Sequence, residues 1–157
     1  MSKELSHIDE AGNASMVDVS NKNITTRTAT ASGDVQFPQE VFETLAAQDF
    51  LGKKGSIIQT AIIAGIQGVK KTSELIPLCH QLNLSKVHID IQPGDNALHI
   101  VCQVKCTERT GVEMEALTGV SVCALTIYDM CKALSHDILI SNIKLEQKTG
   151  GKNDFGR

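Results

Sequence analysis

The sequence predicts an α+β fold, in which helices pack on one face of an antiparallel sheet. Residues 23–31, 86–92 and 97–108 alternate apolar and polar side chains with the period of two that a strand requires. Residues 57–72 and 118–134 are instead apolar on nearly every side of a helix, which is typical of buried helices. With one shorter helix and a final strand, the order is β, α, α, β, β, α, β. This order fits a ferredoxin-like sheet with its helices on one side.

Helix signals in the first half of the chain come from single residues. Pro38 stands at the first position of a short predicted helix that ends at Gln48, a place that proline favours. Ser56 is placed to cap the long apolar helix that follows it. We expect that helix to be buried or to lie at a subunit contact. Pro77 then prevents a helix and leaves a loop that carries the string PLCH.

A hairpin and a last strand follow in the second half. The turn Pro93–Asn96 joins the two alternating segments, and the inward face of the second one is predicted to carry Leu98, Ile100, Cys102, Val104 and Cys106. The last strand, residues 137–148, changes its apolar phase at Ser141–Asn142, which predicts a β-bulge. The tail, residues 148–157, is rich in glycine and is predicted to be mobile.

Composition excludes several classes of function. The chain has 157 residues, of which 41% are hydrophobic and 3% aromatic, and we expect one domain over residues 1–157. Few aromatic side chains and a net charge of −3 argue against a nucleic-acid partner. Residues 1–15 are polar and are predicted to form a loose arm rather than a signal peptide. No apolar run is expected to span a membrane.

The five cysteines are an odd number in a chain without an export signal, so we expect reduced thiols and a cytoplasmic protein. Cys79 and His80 are adjacent in the predicted loop, but zinc sites need more ligands at short spacing. A metal site that adds Cys102 is a minor alternative, and we predict no metal. His80 is therefore either a structural histidine or a functional loop residue.

Charged residues bracket the long apolar segment near the end of the chain. Glu113 and Glu115 flank Met114, and in an extended backbone both glutamates would point the same way. They would either bind N–H donors of a ligand or remain solvated at a helix start. Asp129 and Lys132 are three residues apart on the predicted helix. They are either a partly buried functional pair or an exposed pair with little effect on stability.

Two loops combine lysine with glycine, KKGS at residues 53–56 and KTGGK at residues 148–152. Glycine lets backbone N–H groups approach a phosphate, and lysine adds positive charge. Neither loop matches the Walker A pattern, so neither is a P-loop. With His80 and Lys132 they suggest acid–base chemistry on an anionic small molecule.

Several long strings occur in an order that resembles one family. They are LSHIDEAGNASMVDVSNK, TAIIAGIQ, LIPLCHQLNLSKV, TGVEMEALTGVSVCALTIYDMCKAL and KTGGKNDF. Together they cover essentially the whole chain and resemble the cyclic pyranopterin monophosphate synthases, the MoaC proteins of molybdenum cofactor biosynthesis.

The resemblance implies a lyase. Its substrate would be (8S)-3',8-cyclo-7,8-dihydroguanosine 5'-triphosphate, a cyclised dihydro-GTP, and its products cyclic pyranopterin monophosphate and pyrophosphate. The resemblance also implies no redox cofactor, with Mg²⁺ able to accompany the triphosphate. The implied assembly is a homohexamer, a trimer of dimers with active sites at subunit interfaces.

The same resemblance assigns site residues by motif. Asp129 and Lys132 in YDMCK, with Lys54 in KKGS, resemble the catalytic residues. The substrate-binding residues it implies are Leu78, Cys79, His80, Glu113, Met114, Glu115, Lys148 and Lys152. The last two belong to a loop that is expected to close on the substrate.

Three segments depart from the family pattern. Ile62 stands where arginine is frequent, Gln81 where proline is usual, and Gly119 and Val120 where small alanines are more usual. Because Ile62 removes one polar contact, the alternative is a non-catalytic relative that binds a pterin or nucleotide as a scaffold.

Overall fold

A computed structural model of the single chain describes residues 6–157. The strands of this part are β1 Thr25–Gln36, β2 Leu51–Gly52, β3 Gly55–Ser56, β4 Leu84–Pro93, β5 Ala97–Glu108, β6 Leu139–Thr149 and β7 Phe155–Gly156. The helices are α1 Gln39–Ala46, α2 Ile57–Lys70, α3 Thr72–Leu75 and α4 Glu113–Cys131. Every strand predicted from alternation is present, and so is each predicted helix.

The main sheet has five strands in the order β4-β5-β1-β6-β7, and all its pairs are antiparallel. The helices α2 and α4 lie against one face of this sheet. The predicted α+β, ferredoxin-like class is therefore confirmed. β2 and β3 form a separate two-stranded ribbon that leads directly into α2.

The inward face of β5 is the centre of the core. As predicted, its alternating residues are all buried: Leu98, Ile100, Cys102, Val104 and Cys106. The two thiols are free and enclosed, so they pack as small hydrophobic side chains. The period of two decides which residues are buried because one face of the strand meets α4 and the other does not.

The helices α2 and α4 approach each other and the sheet through glycines. A Cβ on Gly119 would come 2.6 Å from Cys102 Sγ and 2.7 Å from Val69 Cγ2. Gly119 therefore lets α4 lie between β5 and α2 without a clash. α2 begins as predicted, because the Ser56 hydroxyl accepts a hydrogen bond from the Gln59 backbone N–H at 3.2 Å.

β1 differs from its predicted bounds, since it extends to Gln36 instead of ending at Ala31. Ser32, Gly33 and Asp34 are residue types that turns favour, but β1 is the central strand and pairs with β5 and β6 on both sides. Pairing on both edges therefore overrides the local turn preference. The β6 bulge is confirmed, with a register shift opposite Ser32 and Asp34 and a positive φ of 55° at Asn142.

The chain termini carry the least regular structure. Residues 1–5 of the predicted loose arm lie outside the described residues, while residues 6–14 form a turn with a bridge between Ile8 and Ala14. The tail turns at Gly150, where φ is +82°, and returns as β7 alongside β6. Mobility of the tail stays a prediction.

Among the described helices, α4 alone is long and apolar enough to cross a bilayer by length and composition. Half of that stretch is buried inside the fold, as in many core helices. The sequence-based prediction that no apolar run is long enough to span a membrane therefore missed α4. The charged residues of this helix lie at its two ends and leave a long apolar stretch between them. The absence of a membrane partner stays a prediction.

Candidate active site at the two ends of α4

α4 begins at Glu113, five residues before the predicted start, so Glu113 and Glu115 lie in its first turn. The backbone here is helical and not extended, so the two glutamates face different sides. Glu113 Oε1 accepts a hydrogen bond from Lys148 Nζ at 2.9 Å. Glu115 turns inward and only 4% of its surface is exposed. The helix N-terminus is favourable for both carboxylates, which accounts for the early start.

Glu115 has an unusual pKa. Burial raises the pKa of its carboxyl to about 7, and the nearby Glu113 charge acts in the same direction. Its carboxyl can therefore give or take a proton near neutral pH, as an acid–base group must. The sequence placed Glu115 in a site without indicating this shift.

A cavity of about 270 Å³ joins the start of α4 to the PLCH loop. It contains six of the predicted substrate-binding residues: Leu78, Cys79, His80, Glu113, Met114 and Glu115. Burial, and then the Glu115 charge, raise the pKa of the Cys79 thiol, so this thiol stays protonated at neutral pH. His80 Nε2 lies 2.8 Å from the carbonyl oxygen of Val17 and must carry the proton in that contact.

A second cavity of about 350 Å³ opens beside the first. Thr110, Gly111 and Glu113 line both cavities, so the two are neighbours. The cationic residues around the second cavity are Lys22, Arg27, Arg109, Lys148 and Lys152. This concentration of positive charge in an acidic protein suits a polyanionic ligand.

Sequence reasoning predicted Lys148 and Lys152 at this cavity and missed the other three cations. Arg27 sits in a strand of threonines and alanines, and Arg109 in a short loop, so neither belongs to a glycine–lysine motif. The available signal was Arg27 itself, the one charged side chain in the first predicted strand. Only the pairing of β1 with β5 brings Arg27 beside Arg109.

The pair Asp129–Lys132 lies at the other end of α4. Lys132 Nζ donates to Asp129 Oδ1 at 2.6 Å, and the two side chains are 54% and 70% exposed. The partly buried pair is therefore wrong for the single chain, and the exposed pair is right. α4 is not buried on all sides, since Leu125 is 61% exposed while Ile127 is fully buried.

Electrostatics link this pair to Lys54. The hydrogen bond and charge of Lys132 lower the pKa of Asp129, and the charge of Lys54 lowers it further. Asp129 in turn raises the pKa of Lys132. Lys54 lies in the turn between β2 and β3, near enough to Asp129 for its charge to act on that carboxylate. The structure thus groups the three predicted catalytic residues.

The two groups are far apart within one chain. Sixteen residues of α4 separate Glu113 from Asp129, which corresponds to about 24 Å along the helix axis. One chain therefore has predicted substrate-binding residues at one end of α4 and the predicted Asp129–Lys132 pair at the other. It does not bring the two groups to a common point.

The minor zinc alternative finds no support in residues 6–157. No group of three His, Cys, Asp or Glu side chains there is arranged to hold a metal ion. Cys102 is enclosed in the core against Gly119, whereas Cys79 and His80 line the cavity at the start of α4.

Comparison with known proteins adds to this geometry. The MoaC family model matches residues 16–151 of the chain. The chain belongs to the MoaC family. That match includes every predicted site residue of the MoaC-like chain except Lys152, which lies one residue beyond its end.

Similar curated proteins cover nearly the whole chain. A protein of Xanthomonas campestris pv. campestris (strain B100) is 53% identical over 156 residues, which are 99% of this chain and 94% of the relative. One from Helicobacter hepaticus is 52% identical over 157 residues, with 98% of each chain covered. One from Campylobacter jejuni subsp. jejuni is 53% identical over 152 residues, or 96% of each. All three are named cyclic pyranopterin monophosphate synthase.

The departures from the MoaC pattern have clear positions. Ile62 is half-buried on α2 and packs against the core, which an arginine would do only with its stem. Gln81 is exposed next to His80. Neither departure removes a group from the two clusters at the ends of α4.

Proposed function

We propose that the chain is a cyclic pyranopterin monophosphate synthase, a lyase in molybdenum cofactor biosynthesis. It would convert (8S)-3',8-cyclo-7,8-dihydroguanosine 5'-triphosphate to cyclic pyranopterin monophosphate and release pyrophosphate. The observation that carries this proposal is the 53% identity, over 99% of the chain, to proteins of that name. The two charged clusters at the ends of α4 supply the chemistry that the reaction needs.

The cluster at the start of α4 is suited to hold the substrate. Glu113 and Glu115 present carboxyl oxygens to the N–H groups of a guanine-derived base, beside the apolar surface of Leu78 and Met114. The neighbouring cationic cavity would neutralise the triphosphate. Pyrophosphate is a good leaving group only when cations or donors take up its charge. Lys148 and Lys152 are placed to do so.

The cluster at the end of α4 is suited to proton transfer. Asp129 keeps Lys132 protonated in the ligand-free chain, because it raises the pKa of the lysine. Lys132 is then a proton donor, and it becomes a base only if a ligand disturbs the pair. Lys54 adds a second positive charge next to the developing anion. This assignment follows the hydrogen-bond geometry of the pair.

We infer that a complete site needs two chains. About 24 Å separates the two clusters along α4, more than a single nucleotide-sized substrate spans. A partner chain could place its own Asp129 cluster over the first chain's cavities. The side chains of Ile63 on α2 and Leu125 on α4, each 61% exposed, supply apolar surface for association. We propose a homohexamer, built as a trimer of dimers, in the cytoplasm.

The proposed rearrangement and elimination involve no net oxidation, so we propose that no redox cofactor is needed. Mg²⁺ can pair with the triphosphate as part of the substrate. The glutamates and lysines of the site then act on the base, the sugar and the phosphates directly.

Turnover of the cyclised dihydro-GTP tests this function. Purified protein is incubated with that intermediate, and pyrophosphate and pterin are followed by mass spectrometry. We expect conversion by the wild type and its loss in Lys132→Ala, while Lys86→Ala, a β4 lysine outside both clusters, remains active. Tight binding of the intermediate without pyrophosphate release by the wild type would contradict the synthase and favour the scaffold.

A further inference from the structure

We propose that Arg109 is a positioning residue that holds an N-terminal strap, residues 6–24, over the substrate cavities. Its effect on substrate rests on the proposed synthase function. Arg109 lines the cationic cavity, but it belongs to neither glycine–lysine loop and is not one of the predicted catalytic residues.

The strap places no fully buried side chain in the body of the protein. None of its residues is buried, and only Ser15, Val17 and Val19 are partly covered. Its backbone hydrogen bonds, such as those from Ser15 to His7 and from Lys22 to Val19, stay within the strap. A segment without buried apolar contacts is at the low end of local stability and opens readily.

In the described part of the chain, three hydrogen bonds join the strap to the rest of the protein. Arg109 Nη1 donates two of them, to the carbonyl oxygens of Ser20 and Lys22, each at 2.6 Å. His80 supplies the third, to Val17. Arg109 thus provides most of the anchorage, and its bonds are strengthened by the charge of the guanidinium.

Arg109 is itself held in place by Arg27. Arg27 Nε donates to the Glu108 carbonyl at 3.0 Å, and Arg27 Nη2 donates to the Arg109 carbonyl at 3.0 Å. The turn that carries Arg109 is therefore fixed to β1. Arg109 therefore links a turn that is fixed to β1 with a strap that is held by few contacts.

The strap forms part of both cavity walls. Ser6 and Lys22 line the cationic cavity, and His7 lines the cavity of the PLCH loop. When the strap opens, both cavities lose a wall and the cationic one loses the charge of Lys22. Segments that close over a substrate govern its retention. Arg109 therefore acts on binding through the strap, in addition to its own charge at the cationic cavity.

Limited proteolysis of the full chain, without substrate, tests whether Arg109 holds the strap. Thermolysin cuts before apolar residues, so replacing Arg109 leaves the strap sites at Met16, Val17 and Val19 unchanged, and any new cut at position 109 gives a different fragment. We expect Arg109→Ala to speed cleavage near Met16–Val19 severalfold, because cleavage follows the open population. Arg109→Lys should restore most of the protection, since an ammonium can donate to both carbonyls. Arg157→Ala, which removes a donor to the Leu145 carbonyl, is the matched control and should not affect the strap.

Steady-state kinetics with the cyclised dihydro-GTP test the consequence. Arg109→Ala should raise KM roughly tenfold and change kcat by less than about threefold, since charge-assisted bonds are lost but no catalytic group is. Arg109→Lys should return KM towards the wild-type value. Unchanged strap cleavage in Arg109→Ala overturns the inference, and so does faster cleavage with an unchanged KM. A wild type without turnover would instead contradict the proposed function. The cleavage result would still decide whether Arg109 holds the strap.

Discussion

Differences in burial give two carboxyl groups of α4 different pKa values. Glu115, 4% exposed, has a pKa raised to about 7, whereas the exposed Asp129 has a pKa lowered by Lys132. The same side-chain chemistry therefore gives one group that exchanges protons near neutral pH and one that stays ionised.

Glu115 should make stability depend on pH. Its folded pKa lies above the ordinary value of 4.5, so the folded chain binds more protons than the unfolded chain between pH 4.5 and about 7. The free energy of unfolding therefore falls as pH rises through that window, by about 3 kcal/mol. Glu115→Gln should remove this loss, so that the variant gains stability over the wild type at pH 8 compared with pH 4.5.

Urea unfolding at several pH values measures the effect. Glu74→Gln, an exposed carboxylate on α3, is the control and should follow the wild type. If the free energy of unfolding changes with pH in the same way in Glu115→Gln and the wild type between pH 4.5 and about 7, the Glu115 pKa is not raised.

Asp129 should matter for turnover and not for folding. Its side chain is 70% exposed, so Asp129→Asn removes an exposed ion pair and no packing. We expect turnover to fall by a factor of about 10² to 10⁴, the usual range for an acid–base group, at an unchanged urea midpoint. Asp95→Asn, in the turn before β5, serves as the control. Wild-type turnover in Asp129→Asn would remove this residue from the chemistry.

Close packing of α2 against α4 fixes the position of α4, which carries a charged cluster at each end. A Cβ on Gly65 would come 2.7 Å from Ile89 Cδ1 and closer still to Cys123 Sγ. Cys123 Sγ lies 3.2 Å from the Ala61 carbonyl of α2, so the helix-to-helix contact leaves no space. A change at this contact would shift α4 relative to the sheet and alter both clusters.

Gly65→Ala should therefore destabilise the protein. Alanine favours a helix by up to about 1 kcal/mol over glycine, but overpacking a core costs about 1–3 kcal/mol. We expect a lower Tm in thermal unfolding. Gly156→Ala, where an added Cβ meets nothing within 4 Å, should leave Tm unchanged. A Tm equal to or above that of the wild type in Gly65→Ala would show that α2 and α4 can separate at little cost.

At the scale of the whole molecule, the separation of the clusters predicts complementation. Lys132→Ala is expected to inactivate the cluster at the end of α4. Lys148→Ala is expected to inactivate the cationic cavity at its start. If each site takes one cluster from each of two chains, an equal mixture of the two variants should recover about a quarter of wild-type activity after reassembly.

Unfolding and refolding the two variants together provides the mixture, and turnover of the cyclised dihydro-GTP is the measurement. Each variant refolded alone is the control and should stay inactive. No recovery in a mixture that reassembles to the wild-type size would show that one chain supplies both clusters.

Local patterns predicted the strands, the long helices and most site residues. The alternation of β5, the Ser56 cap and the bulge at Asn142 each depend on a few neighbouring residues, which the sequence displays directly. The family resemblance assigned Glu115 and Lys148 to substrate binding, and the structure shows that each lines one of the two cavities. The extension of β1 was not visible, because pairing on both of its edges involves residues remote in the chain.

The sequence by itself determined the fold class, the family resemblance and the kinds of group in the site. The tertiary structure decided that Arg27 and Arg109 join the cationic cavity, that Glu115 is buried, and that Asp129 is exposed. It also decided that α4 holds the two clusters about 24 Å apart. The physical reason is that periodicity and capping act between near neighbours, whereas burial, pKa and distance depend on which distant segments pack together.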